Sequence, residues 1–305
     1  MSAKIIVALG FLGIIALGCL GMVVCAKMLG HLPKRLCTNH EHDHADYSLA
    51  YRESGGFFDK MRAVDWLRLK ERVVSTPHCQ HNCGPEEPHA WYQNNWEPNF
   101  TCLHERRLGL WGDGGKWVCD PHRIAAKVTS GKGCLVYSVG SNNDFSFEDA
   151  ILRDISSSCE IHTFDHTIGD RPSNLPAHGN VTFHPWGLVR SDHGPNMKSM
   201  ETIVHELGHE GREIDILKID CEGCEWETVQ SWFQSGAIIR QLLVEVHAGT
   251  LETIPVTAMK FMTFMKSQGY VIFHKEPNIA SGGGSCIEYA FVLLEGLSKA
   301  TKSER

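Results

Sequence analysis

Two stretches of the 305-residue chain hold side chains dense enough for chemistry, and they lie almost end to end. The first is VHELGH, residues 204–209, in which His205, Glu206 and His209 have the spacing that puts two imidazoles and a carboxylate on one helix face. That set binds zinc and activates water in metal-dependent proteases. The second is EIDILKIDCEGCEWE, residues 213–227, where Ile214, Ile216, Leu217 and Ile219 surround Lys218 before a Cys-Glu-Gly turn. Asp220, Glu222 and Glu225 cluster there, suited to orienting a substrate or taking a proton.

Sequence context separates the two. A zinc protease needs a third ligand, yet Gly211 and Arg212 lead directly into the apolar run, and Glu225 or Glu227 would have to reach back across it. Gly208 and Gly211 also predict that the helix stops before His209, so HELGH reads as a joint leading into a strand. The apolar run itself predicts that buried strand. In open α/β sheets the ligand crevice lies outside the carboxyl ends of the strands, which is where Asp220 and Glu222 fall.

Other elements extend the pattern. Residues 134–140, 159–165, 180–189, 214–220 and 241–247 read as strands, and 147–155, 198–206, 225–235 and 257–268 as helices. Alternation of this kind implies a parallel sheet. YVIFHK and CIEYAFVLL then follow with only SGGGS-type sequence between them, which predicts an antiparallel hairpin at the end of the chain. His247 closes the fifth strand of this series.

Upstream, residues 5–26 carry no charge, enough to cross a bilayer as one helix. The predicted organisation is a signal anchor over 1–30, a His-rich stem over 31–56, a Cys-rich extension over 57–130, the α/β domain over 131–296 and a polar tail over 297–305. An amphipathic helix is expected over 57–74, with Phe58, Met61, Val64 and Leu67 inward, and a tight turn between short strands at GLWGDGGKWVCD, residues 109–120. Lys27, Lys34 and Arg35 favour a cytosolic domain by positive-inside counting. Twelve cysteines, only Cys19 and Cys25 of them in the span, and sequons at Asn99 and Asn180 favour the lumen, the orientation adopted here. Cys79, Cys83, Cys102 and Cys119 read as disulfide partners ahead of a zinc set. A net charge of -7 and the lack of basic clusters argue against a nucleic-acid partner.

GDGGKWVCD, VYSVGSNNDFSFE, the FDH after the second strand, IDILKIDCEGCEWE and VEVH together resemble the S-adenosylmethionine-dependent methyltransferases of the methyltransferase-like type, related to FkbM-type enzymes. The resemblance spans about residues 102–294, and the LKIDCEG run is its specific part. It implies a class I methyltransferase, Rossmann-like α/β fold, S-adenosylmethionine as cofactor and an unidentified methyl acceptor, with oxygen expected as the nucleophile. On that reading Gly140 and Ser141 let the backbone approach the cofactor, Asp144 meets its ammonium, Asp165 meets the ribose hydroxyls and Asp220 faces the methyl donor. His247 or Asp220 serves as base, and Glu222 orients substrate or caps the helix after it. The first loop departs from the common acidic-strand, glycine-rich pattern: Ser138 stands in the strand and only Gly140 remains. A non-catalytic binding protein on this fold is the second expectation. Asp220, Glu222 and Glu245 could together hold a divalent ion, but no spacing enforces it, so no metal is assigned.

Overall fold

A computed structural model describes residues 46–77, 95–170, 172–247, 254–278 and 286–294, all within one compact unit beginning at Asp46. The expected anchor over 5–26, Cys79, Cys83 and the tail lie outside the described residues. Among the described residues no helix is long and apolar enough to cross a membrane.

The expected seven strands form one sheet. Its members are β3 (Leu135–Val139), β4 (Glu160–Phe164), β5 (Asn180–His184), β8 (Glu213–Ile219), β9 (Ile238–His247), β10 (Tyr270–Pro277) and β11 (Cys286–Leu293), in the order β10-β11-β9-β8-β3-β4-β5. From β9 to β5 neighbours run parallel, whereas β11 is antiparallel to both β9 and β10. All five residues of β3 are buried, as continuous apolar strands must be when both faces of a parallel sheet are covered.

Alternation along the strands sends side chains into two cores. Tyr137, Val139, Leu217 and Ile219 meet the face covered by α5 (Met200–Glu206), α6 (Glu225–Trp232) and α7 (Ile254–Ser267), through Ile203, Trp232 and Phe261. Val136, Ile161 and Ile216 meet the other face, where Trp66, Phe100, Phe147 and Ile151 pack. That second layer is built from the extension together with α4 (Ser146–Asp154), so the Cys-rich segment is part of the same core.

Several local expectations change. The stem reading ends too late, because Ser48–Glu53 forms a helix, α1. The next helix, α2, starts only at Ala63 and ends at Ser75; with Phe58 and Met61 outside it, the buried face moves to Trp66 and Val73 and leaves Val64 and Leu67 exposed. The long third strand breaks at Pro185, which cannot donate to a ladder. Beyond it β6 (Gly187–Leu188) pairs with β7 (Met197–Lys198) in a separate small sheet. The glycine-rich turn does join two short antiparallel strands, β1 (Glu105–Leu108) and β2 (Lys116–Cys119). A helix missed in sequence, α3 (Pro121–Thr129), follows with Pro at its first turn. Disulfides join Cys102 to Cys119, Cys134 to Cys159, and Cys221 to Cys224.

Candidate functional site

The sheet order reverses between β3 and β8: the chain leaves β3 toward β4 and β5, then crosses back to lay β8 on its other side. At such a switch point the loops after the two strands part and leave a crevice. Here that crevice is a cleft of about 810 Å³, lined among others by Gly140, Ser141, Asp144, Asp165, Asp220, Glu222 and His247. The fold therefore gathers the residues of the methyltransferase reading, Gly140, Ser141, Asp144, Asp165, Asp220, Glu222 and His247, into one cavity, and leaves the HELGH residues outside it. A second cavity, about 670 Å³, opens at the opposite ends of the strands beside Leu135 and Glu213, away from the switch point.

Gly140 has φ of 81°, and a Cβ there would sit 1.7 Å from the Asp220 carbonyl oxygen. Only glycine lets the two loops come this close. The ladder runs on past the strand ends, with Gly140 N–H donating to the Phe164 carbonyl at 2.8 Å and Asp220 N–H to the Val139 carbonyl at 2.9 Å. Lys218, buried on β8, donates to the Gly140 carbonyl and pins the turn from beneath.

Asp165, expected to meet the ribose hydroxyls, is bound to the loops on either side of it. Its Oδ2 accepts from Ser141 N–H at 2.9 Å, Ser141 Oγ at 3.1 Å and Asn142 N–H at 2.8 Å, and its Oδ1 from Thr167 N–H at 2.9 Å and Thr167 Oγ at 2.6 Å. Five donors fill the acceptor capacity of one carboxylate, so Asp165 holds the Gly140 loop in shape. Burial alone would raise its pKa, but these hydrogen bonds outweigh it and hold the carboxyl below its usual range. Asp144 lines the cleft and accepts from Ser146 N–H at 2.9 Å at the start of α4, leaving its Oδ2 with only a 3.2 Å contact to Ser146 Oγ.

The other side of the cleft is governed by a lysine that sequence reading passed over. Lys116, 1% exposed, donates to Asp220 Oδ2 at 3.2 Å, to Glu245 Oε2 at 3.5 Å and to Glu288 Oε1. Three carboxyl groups thus surround one ammonium. Burial would lower the Lys116 pKa, but Glu288, Asp220 and Glu245 reverse that and raise it. Burial pushes the Glu288 carboxyl up to about 8 despite Lys116. Asp220 moves the opposite way, since Lys116 and Lys218 overcome the burial effect and lower it. The carboxylate oxygens of Asp113, Asp220 and Glu245 lie close enough to share a metal ion, as do ligand atoms of Asp220, Glu222 and His247. The Lys116 ammonium, however, already bridges Asp220 and Glu245, the centre of the divalent-ion set considered from sequence.

His247 is held by Glu225, which is fully buried: Oε1 accepts the His247 N–H at 2.8 Å and lies 3.2 Å from Nδ1. Nε2 faces the cleft, 3.9 Å from Asp220 Oδ1 and 3.5 Å from Glu222 Oε2. Burial opposes the charge, yet Glu225, Glu245 and Glu222 raise the imidazole to about 9. The group expected as a base is therefore an imidazolium at neutral pH. Glu222 is 87% exposed at φ 55°, and the Gly223 N–H is taken at 3.0 Å by Glu225 instead. No side chain caps the helix that follows, so Glu222 does not take the capping role considered for it. The Cys221–Cys224 disulfide closes this turn directly after Asp220.

HELGH does not assemble as a metal motif. Helix α5 ends at Glu206 and Gly208 turns left-handed at φ 69°. His205 points outward to Glu210 at 2.6 Å, Glu206 pairs with Lys198, and His209 is buried elsewhere.

No curated protein sequence matches the chain. Similar solved structures include an archaeal one, the Methanococcus jannaschii fibrillarin pre-rRNA processing protein, at 8% identity over 63% of this chain and 84% of that one, with a TM-score of 0.36. A Clostridium thermocellum protein assigned as an rRNA-methylase shows 12% identity over 52% of this chain and 86% of that one, with a TM-score of 0.34. A Streptococcus thermophilus protein assigned as a hemolysin shows 9% identity over 63% and 80%, with a TM-score of 0.37. Likeness at this level carries no functional weight. A family model described as a methyltransferase domain matches residues 48–293, most of the chain, and the protein belongs to that methyltransferase family.

Proposed function

We propose that the chain transfers the methyl group of S-adenosylmethionine to an oxygen of its acceptor. The observation that carries this reading is the switch-point cleft itself, where a glycine-cradled loop faces a cluster with more carboxyl groups than cations. A sulfonium cofactor supplies an electrophilic methyl and two positive centres, and the chain offers matching groups. Asp144 stands at the loop for the ammonium, and Asp220 presents its charge toward the cleft. Trp186, Leu188 and Val189 provide an apolar wall suited to adenine. Asp165 supports the cofactor through the loop that it shapes.

Displacement at a methyl carbon needs an aligned nucleophile and, for a hydroxyl, a proton acceptor. The Glu225–His247 pair supplies that acceptor with Nε2 toward the cleft, in its neutral form only as pH approaches the imidazole's value of about 9. Leu110, exposed where it lines the cleft, forms an apolar lip on which an acceptor would rest. Isothermal titration of the full chain with S-adenosylhomocysteine tests the reading: saturable binding supports it, and no heat of binding at millimolar cofactor refutes it.

We further propose that the chain is a single-pass membrane protein with this domain on the lumenal side. Asn180 is exposed at the start of edge strand β5, whereas the Asn99 side chain is occupied, its Oδ1 accepting the Ile272 N–H at 2.9 Å. Expression in animal cells should give a glycosidase-sensitive mobility shift that Asn180→Gln abolishes and Asn99→Gln does not. A chain with no shift at all would put the domain in the cytosol.

A further inference from the structure

His209, released from the HELGH motif, belongs to another cluster. Glu160 and His162 lie two residues apart on β4 and so point to the same face of the sheet. The turn after α5 brings His209 over them. Glu160 Oε1 lies 3.1 Å from His162 Nε2 and 3.2 Å from His209 Nε2, and one ligand atom from each of the three falls within 4.8 Å of the others. His162 is 8% exposed and His209 4%, while Glu160 remains partly open to solvent.

These separations suit a tetrahedral ion. With metal bonds of about 2.0–2.1 Å, zinc ligands stand roughly 3.3 Å from one another, close to the two spacings observed. The outer contacts of a zinc site are also present. A metal-bound imidazole donates its other ring N–H to a fixed acceptor. His162 Nδ1 faces His184 Nε2 at 2.9 Å, and His209 Nδ1 faces the Tyr137 hydroxyl at 2.7 Å. Arg212 fixes the second carboxylate oxygen of Glu160 at 2.6 Å.

We propose that Glu160, His162 and His209 form a zinc site on the sheet face outside the cofactor cleft, with water in the fourth position on the open side of Glu160. Binding exchanges the two Nε2–H···Glu160 hydrogen bonds for metal bonds, as each proton moves to Nδ1 and is donated to His184 or Tyr137. The ion would tie the α5-to-β8 turn to β4.

The test is elemental analysis of the full chain purified without chelator, followed by Zn²⁺ and Co²⁺ titration of metal-stripped protein. The expected result is stoichiometric zinc, with intense visible bands from four-coordinate Co²⁺. Both should be lost in His162→Gln and His209→Gln and kept in His205→Ala and His247→Gln. Tyr137→Phe leaves all three ligands in place and should weaken Zn²⁺ binding about 10–100-fold, so the proposal stays testable if the ligand variants fail to fold. Failure to take up either ion, retention by the two ligand variants, loss in His247→Gln or unchanged affinity in Tyr137→Phe would each overturn it.

Discussion

The two walls of the cleft are held in place by different means. On the β3 side, Asp165 gathers five neutral donors around one carboxylate and Gly140 provides the close approach to Asp220, so backbone shape defines the wall. Across from it, Lys116 stands among Asp220, Glu245 and Glu288 and His247 among Asp220, Glu222 and Glu225, so charge defines the wall. A shape-built wall tolerates changes in pH and salt but no added atom. A charge-built wall tolerates small changes of volume but no loss of a partner.

The largest effect should come from breaking the charged wall at its centre. Lys116→Met keeps most of the volume and leaves the acidic cluster without its cation, a loss of about 3–5 kcal/mol for a buried pair broken on one side. Chemical denaturation would measure it, and a loss below 1 kcal/mol would mean that the ammonium is replaceable. Gly140→Ala attacks the shaped wall. A non-glycine residue at positive φ costs about 1–3 kcal/mol, and the clash with the Asp220 carbonyl adds to that, so cofactor binding should vanish even where the fold survives. Asp165→Asn retains the volume but forfeits charge-assisted bonds worth about 1.5–3 kcal/mol each. Partial compensation by the amide oxygen should bring the net destabilisation to about 2 kcal/mol, with cofactor affinity reduced.

Dependence on pH should separate the walls without mutation. His247 has its imidazole raised from 6.5 to about 9, so the stabilisation it receives is complete below about 6.5 and is lost as pH rises through 9. Catalysis that uses it as a base should run the other way, rising with pH toward 9 and flattening in His247→Gln. The smallest effect is expected at Glu222. Its side chain is largely exposed, and Glu222→Gln should change stability by less than about 0.5 kcal/mol while lowering the His247 transition slightly.

The same contrast governs what sequence could reveal. Gly140, Asp220 and His247 were legible because each directly follows or ends an apolar strand, and position at a strand end is local information. Asp165 was found for the same reason, but the five donors around it depend on a loop fold that no spacing encodes. Lys116 was hidden: it opens a four-residue strand, and its partner Asp220 is 104 residues away. Glu288, inside an apolar strand, gave no sign that its carboxyl would reach Lys116. Pro185 marked the break in the third strand and could have been read as one. The HELGH motif shows the converse, since a matching spacing carries no chemistry once Gly208 ends the helix and sends the two histidines apart.

Hydrogen exchange of the full chain with and without S-adenosylhomocysteine tests most directly whether this cleft is the cofactor site. Slowed exchange is expected only at residues 139–144 and 219–224, the two loops that meet at Gly140 and Asp220. Protection at the opposite ends of the strands, or none at saturating cofactor, would contradict it.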